Sequence, residues 1–181
     1  MNRIEAPRPP VIVVMGVSGC GKSTVGQMLA NALAAPYIEG DDLHSQENVE
    51  RMRAGIALDD AQRSDWLQAL ATHLAAAYDQ RRPLVVSCSA LKRVYRDILR
   101  SGAPALRLVH LQGTRAVLAA RSAQREGHYM PVSLLDSQIA TLEPPQADEN
   151  VLTFDVTQAP QEIVQQTMAV LRASVALTDP L

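Results

Sequence analysis

The chain is poor in the residues that most often announce a function. Its 181 residues include only two cysteines, Cys20 and Cys88, too few for a disulfide framework or a four-cysteine metal site. A reducing compartment, the cytoplasm, is therefore expected. One Trp and one Phe provide no set of aromatic platforms on which single-stranded nucleic acid could stack. The formal net charge is −2, so no basic surface marks a polyanionic partner. No stretch approaches the ~20 apolar residues that span a bilayer, and no membrane contact is expected. The opening "MNRIEAPRPP" carries three prolines and no apolar core. Residues 1–10 thus read as a flexible leader rather than a signal peptide, and residues 175–181 as a frayed tail.

What is present alternates. The apolar runs "VIVVM" (11–15), "LVVSC" (84–88), "LRLVHL" (106–111) and "VLTFDV" (151–156) have the look of buried strands, with "PYIEG" (36–40) a shorter candidate. Between them the apolar residues fall at helical spacing. Val25, Met28, Leu29, Ala32 and Leu33 share one face, as do Trp66, Leu67, Leu70, Leu74 and Tyr78, and Ile163, Val164, Thr167, Met168 and Leu171. Strands alternating with helices predict a single α/β domain over residues 11–174, its parallel sheet covered on both faces.

The turn after the first strand is the sharpest motif. Gly16, Val17, Ser18, Gly19, Cys20, Gly21, Lys22, Ser23 and Thr24 contain G-x-x-x-x-G-K-[ST] between a predicted strand and a predicted helix. Glycines let successive backbone N–H groups converge on one anion, and the helix adds the positive end of its dipole. Lys22 is then placed to reach the outer phosphates of a nucleoside triphosphate, and the Ser23 hydroxyl to ligate Mg²⁺. The Cys20 N–H matters here more than its thiol. A GTPase would add D-x-x-G and N-K-x-D, and neither is present.

An acceptor site should lie at the carboxyl ends of the neighbouring strands, where open α/β sheets bind ligands. After the second strand comes "EGDDLHSQENVERM" (39–52). Asp41 could orient an acceptor hydroxyl or hold Mg²⁺ through water; its alternative is a helix N-cap, for which Asp42 is better placed. His44 could equally be a surface histidine. After the third strand, "CSALKRVYRDILR" puts Lys92 and Arg96 four residues apart, aimed at an anion or at solvent, and Arg63 precedes a core-facing Trp66. Arg121 and Arg125 are also four apart, a pair that spacing alone leaves open between function and a solvated face.

The stretches "GVSGCGKS", "GDDLH", "NVERM", "LDDAQRSDWL", "CSALKRVYRDILR", "REGHYM" and "TLEPPQADE" together resemble the gluconokinase family, over about residues 11–172. The resemblance implies a P-loop kinase fold with a five-stranded parallel sheet of order 2-3-1-4-5, ATP and Mg²⁺ at the phosphate loop, D-gluconate as acceptor, and a homodimer. It also implies that residues 121–145 form a helical lid, with Arg121 and Arg125 stabilising charge on the transferring phosphoryl group and His128 facing the crevice. Within that reading Lys22, Asp41 and Arg125 are the catalytic candidates. Arg63, Lys92 and Arg96 are candidates for the gluconate carboxylate, with Asp41 and His44 near its hydroxyls. A shikimate kinase would instead show D-x-D and G-G-G at these strand ends. The chain departs from the family in having Ser45 where proline usually follows the histidine, which is expected to loosen the turn into the next helix.

Overall fold

The computed structural model describes residues 8–123 and 132–176. Strand β1 (Val11–Met15) has all five side chains buried, the state of a parallel strand covered on both faces. The loop that follows leads into α1 (Lys22–Ala32), β2 (Tyr37–Glu39), a 3₁₀ turn (Gly40–Leu43), α2 (Gln46–Arg53) and α3 (Asp60–Asp79). Then come β3 (Leu84–Cys88), α4 (Arg93–Gly102), β4 (Arg107–Gln112), α5 (Arg115–Ala123) and α6 (Val132–Thr141). A 3₁₀ turn (Ala147–Glu149), β5 (Leu152–Asp155) and α7 (Pro160–Ala176) complete the order.

The five strands pair in parallel in the order β2-β3-β1-β4-β5. In the middle of the sheet Val13 sits between Val86 and Leu108, and these residues belong to one apolar core with Leu29, Leu70 and Leu99 from three helices. The packed helix pairs include α3 with α4 and α1 with α7. All strand carboxyl ends therefore open on one edge, which receives the phosphate loop and the turns after β2 and β3. The predicted strands lie within two residues of those observed. Ala32 is exposed rather than core-facing; the buried face of α1 is Val25, Gly26, Leu29 and Ala30.

Two local expectations are corrected. Asp42 lies inside the 3₁₀ turn and caps no helix; the N-cap of α2 is Ser45, whose hydroxyl accepts from the Asn48 N–H at 3.2 Å. Serine in place of proline thus closes this turn rather than loosening it. Of the expected lid, α5 and α6 pack on each other and are joined by an Arg115–Asp136 ion pair of 2.6 Å. Arg125 and His128 lie outside the described residues.

Candidate active site

The phosphate loop is built from backbone. Gly21, at φ 95°, is the N-cap of α1, and no side chain caps the first turn. Its N–H groups are left for an anion, which the helix dipole also favours. Gly19 has φ +78°, and a Cβ there would lie 2.5 Å from Ser122 Oγ and 2.9 Å from the Leu118 carbonyl oxygen. Only glycine lets α5 approach the loop this closely. Lys22 Nζ donates to the Val17 carbonyl at 3.1 Å, held back over the loop. Cys20 is buried, and that burial pushes its thiol pKa up, which makes it a poor nucleophile.

Beside the loop stands a carboxylate that the sequence analysis did not single out. Glu39, the last residue of β2, accepts hydrogen bonds from the Tyr37 hydroxyl at 2.8 Å and from the Ser87 hydroxyl. Ser87 in turn accepts from the Gly40 N–H at 3.1 Å. Burial pushes the Glu39 carboxyl up. Hydrogen bonds from Ser23, Ser87 and Tyr37, with the charge of Lys22, outweigh it and hold the pKa below the ordinary value. Glu39 is therefore ionised and tied to Ser23, the loop's metal candidate. Its only signal in the sequence was its place at the end of a predicted strand.

The acceptor side is built from side chains. The buried Cys88 thiol at the end of β3 is pushed up to about 12 by burial, and it senses Asp41, Lys22 and Arg63 at once. His44 stacks on Trp66 with ring centroids 4.1 Å apart, and the Trp66 indole N–H donates to the Gly40 carbonyl at 2.7 Å. Burial, then the charge of Arg63, lowers the His44 pKa to about 4, so the imidazole is neutral at pH 7. Its Nδ1 is buried with no hydrogen-bond partner among the described residues.

Arg63 is 7% exposed, donates through Nε to the Leu58 carbonyl at 3.2 Å and makes no ion pair among the described residues. Its guanidinium carbon lies 5.9 Å from the centre of the Tyr95 ring, and Lys92 Nζ lies 5.7 Å from it. Lys92 pairs with Asp60 at 2.7 and 2.9 Å, and Asp60 also accepts from the Tyr95 hydroxyl at 2.5 Å. Lys92, Asp60, Tyr95, Leu58, Leu142 and Glu143 line an open cavity of about 720 Å³. Asp60 and Tyr95 are further residues that sequence reasoning missed, since a helix N-terminus and an aromatic at core spacing give no signal.

Arg96 does not belong to this group. Its side chain is fully buried, doubly bonded to Glu149 at 2.6 and 2.9 Å, and its remaining nitrogen donates to the carbonyls of Ala90, Leu91 and Glu143. All three guanidinium nitrogens are engaged inside the protein, so the expected role toward a ligand carboxylate is withdrawn. Arg121 donates to the Val156 carbonyl at 2.6 Å and acts electrostatically on Cys20, which sets it between the exit of β5 and the phosphate loop.

The chain is similar to known proteins over most of its length. Residues 11–145 match the AAA_33 family model, described as an AAA domain. The gluconokinase of Gluconobacter oxydans (strain 621H) is 43% identical over 159 residues, covering 88% of this chain and 89% of its own length. The thermosensitive gluconokinase of Escherichia coli (strain K12) is 41% identical over 155 residues, 85% of this chain and 83% of its own. A crystal structure of a gluconokinase from Sinorhizobium meliloti 1021 superposes with a TM-score of 0.83 at 49% identity, covering 93% of this chain and 94% of that one. With a phosphate loop on one side of the strand edge and a cation-lined cleft on the other, and with relatives this similar along nearly their whole length, the chain belongs to the gluconokinase family of kinases.

Proposed function

We propose that the protein transfers the γ-phosphoryl group of ATP to the 6-hydroxyl of D-gluconate, giving 6-phospho-D-gluconate and ADP. The observation that carries this reading is that one strand edge holds the phosphate loop with Lys22 and, opposite it, Arg63, buried with no ion pair among the described residues, with Lys92 close by across Tyr95. The triphosphate sits on the loop of residues 16–24, held by Lys22 and by the backbone N–H groups at the start of α1, and Arg121 and Arg125 neutralise charge on the transferring group. The oxygens of Ser23, Glu39 and Asp41 are hard donors of the kind Mg²⁺ takes, and Glu39 is held ionised. Mg²⁺, when bound, supplies charge neutralisation at the phosphates.

Asp41 orients the acceptor hydroxyl, with neutral His44 and His128 beside the sugar-acid chain. In a loose transition state orientation outweighs early proton removal, so Asp41 need not be a strong base. Arg63 and Lys92 receive the carboxylate, Lys92 by exchanging Asp60 for the ligand. The reading extends to a lid over residues 121–145, a homodimer and a cytoplasmic enzyme. Among the described residues no helix is long and apolar enough to cross a membrane. The test is ADP release with D-gluconate, glucose, shikimate and AMP as acceptors. Gluconate should exceed glucose by at least ~10²-fold in kcat/KM, because glucose leaves the cations unpaired; a faster reaction with shikimate or AMP overturns the substrate assignment.

A further inference from the structure

Helix α6 touches both halves of the site. Leu134 is buried against Met52 and Leu58, on the α2–α3 wall of the acceptor side. Four residues on, and so on the same helix face, Gln138 is 8% exposed and its Oε1 accepts the Ser18 N–H of the phosphate loop at 2.6 Å. Just beyond the end of the helix, the Glu143 N–H donates to the Leu91 carbonyl at 2.9 Å, and the Glu143 carboxylate accepts the Arg93 N–H at 2.6 Å. One short helix is thus fastened to the loop that carries phosphates, to the wall beside Arg63 and to the start of α4.

We propose that Gln138 is a positioning residue, through which α6 holds the phosphate loop in register with the acceptor wall. The proposal rests on the kinase reading above. The Ser18 N–H is buried with its residue, and a buried backbone donor must be paired. Gln138 provides that partner from 120 residues away; elsewhere in the loop the Gly16 N–H is held by the Ser89 carbonyl at 3.3 Å and Lys22 folds back on Val17. A displacement of α6 against Met52 and Leu58 therefore carries Ser18 with it. This links occupancy of the acceptor side to the geometry of the transferring phosphate without Gln138 touching either substrate.

The experiment compares the wild type with Gln138→Met, which keeps length but lacks an acceptor, and Gln138→Glu, which keeps an acceptor oxygen. Steady-state kinetics with ATP and D-gluconate are combined with amide hydrogen exchange of the peptide containing Ser18, and thermal unfolding monitors the fold. Gln138→Met is expected to lower kcat by ~10-fold or more with both KM values within ~3-fold, and to speed exchange of that peptide while the β1 and β3 peptides stay protected. Gln138→Glu should keep exchange slow and raise the KM for ATP, because it brings a negative charge to the loop that receives the phosphates. A Gln138→Met enzyme with kcat within threefold of wild type and unchanged exchange overturns the proposal. So does equal acceleration of exchange in both variants. If wild type does not phosphorylate gluconate, the functional reading falls, and the exchange comparison still decides the role of Gln138.

Discussion

Two cation clusters lie on either side of Tyr95 and the start of α4, and they behave oppositely. On one side Arg96 is buried against Glu149, whose carboxyl is held well below its ordinary value by hydrogen bonding from Arg96. Arg100 adds a second contact to Glu149 at 3.3 Å. On the other side Arg63 is nearly as deeply buried but, among the described residues, meets a carbonyl and an aromatic ring rather than a carboxylate, while Lys92 holds a largely exposed Asp60. The first cluster is saturated and pins the segment before β5 onto α4. The second has a buried cation with no ion pair among the described residues and an ion pair open to exchange. A cationic side chain at a strand's end serves a ligand only where the fold has not already supplied its partner.

The largest expected effect breaks the saturated side. Arg96→Met leaves the Glu149 carboxylate buried with only Arg100 and backbone N–H partners, and removal of one member of a buried pair costs about 3–5 kcal/mol. For a chain of this size that lowers the Tm by roughly 6–20 °C. Adding Glu149→Leu should recover a good part of the loss. A stable Arg96→Met with weakened gluconate binding would reverse the assignment of the two clusters.

Next comes Lys92→Met on the open side. It removes one charge-assisted contact to the acceptor, a loss of roughly 10–100-fold in kcat/KM for gluconate, while the Tm should stay within ~2 °C because exposed ion pairs contribute little. A large drop in Tm without a kinetic effect would make Lys92 a structural residue like Arg96.

A pH scan sharpens the contrast further. His110, in the middle of β4, is 3% exposed, and both ring nitrogens lack a partner among the described residues. Burial and then the charge of Arg96 lower its pKa to about 4, against 6.5 for the ordinary group. The unfolded chain therefore binds more protons between these values, so stability is present above pH 6.5 and is lost as the pH falls toward 4. About 2 kcal/mol should disappear between pH 7 and pH 5. His44, with its pKa also lowered to about 4, contributes a similar loss over the same window, so His110→Leu should reduce that part of the urea-midpoint slope by about half, and an unchanged slope would show that the His110 imidazole is not a group responsible.

How much of this was legible in the sequence depended on how local each feature is. The parallel sheet and the phosphate loop were readable, because continuous apolar strands and a backbone-built turn leave contiguous patterns; the strand order followed only from the family resemblance. The acceptor side was readable only in part. Asp41 and His44 follow β2 and Lys92 follows β3 as read, and Arg63 precedes the buried Trp66, but helical spacing alone could not show that Arg96 is held by Glu149, 53 residues further on. Glu39 and Gln138 were missed for the same reason: one acts through Ser23 and Ser87, the other through a backbone N–H 120 residues away. Partners so distant in sequence leave no spacing to read.

The smallest expected effect tests the floor of the open side, where His44 enters α2. Ser45 has φ −60°, within the range proline imposes, and His44 sits at φ −67° and ψ 143°, the extended conformation that a residue before proline prefers. Ser45→Pro therefore fits without strain. It loses the hydroxyl that accepts the Asn48 N–H, a cap of about 1 kcal/mol. It gains about 0.4–1 kcal/mol by restricting the unfolded chain. The two nearly cancel, so the urea midpoint should hardly move and the gluconate KM should stay within twofold, because the His44–Trp66 stack is untouched. A clear loss of stability would mean that the hydroxyl cap contributes more here than such caps usually do. A raised KM with unchanged stability would show that the freedom of His44, not its packing, shapes the acceptor site.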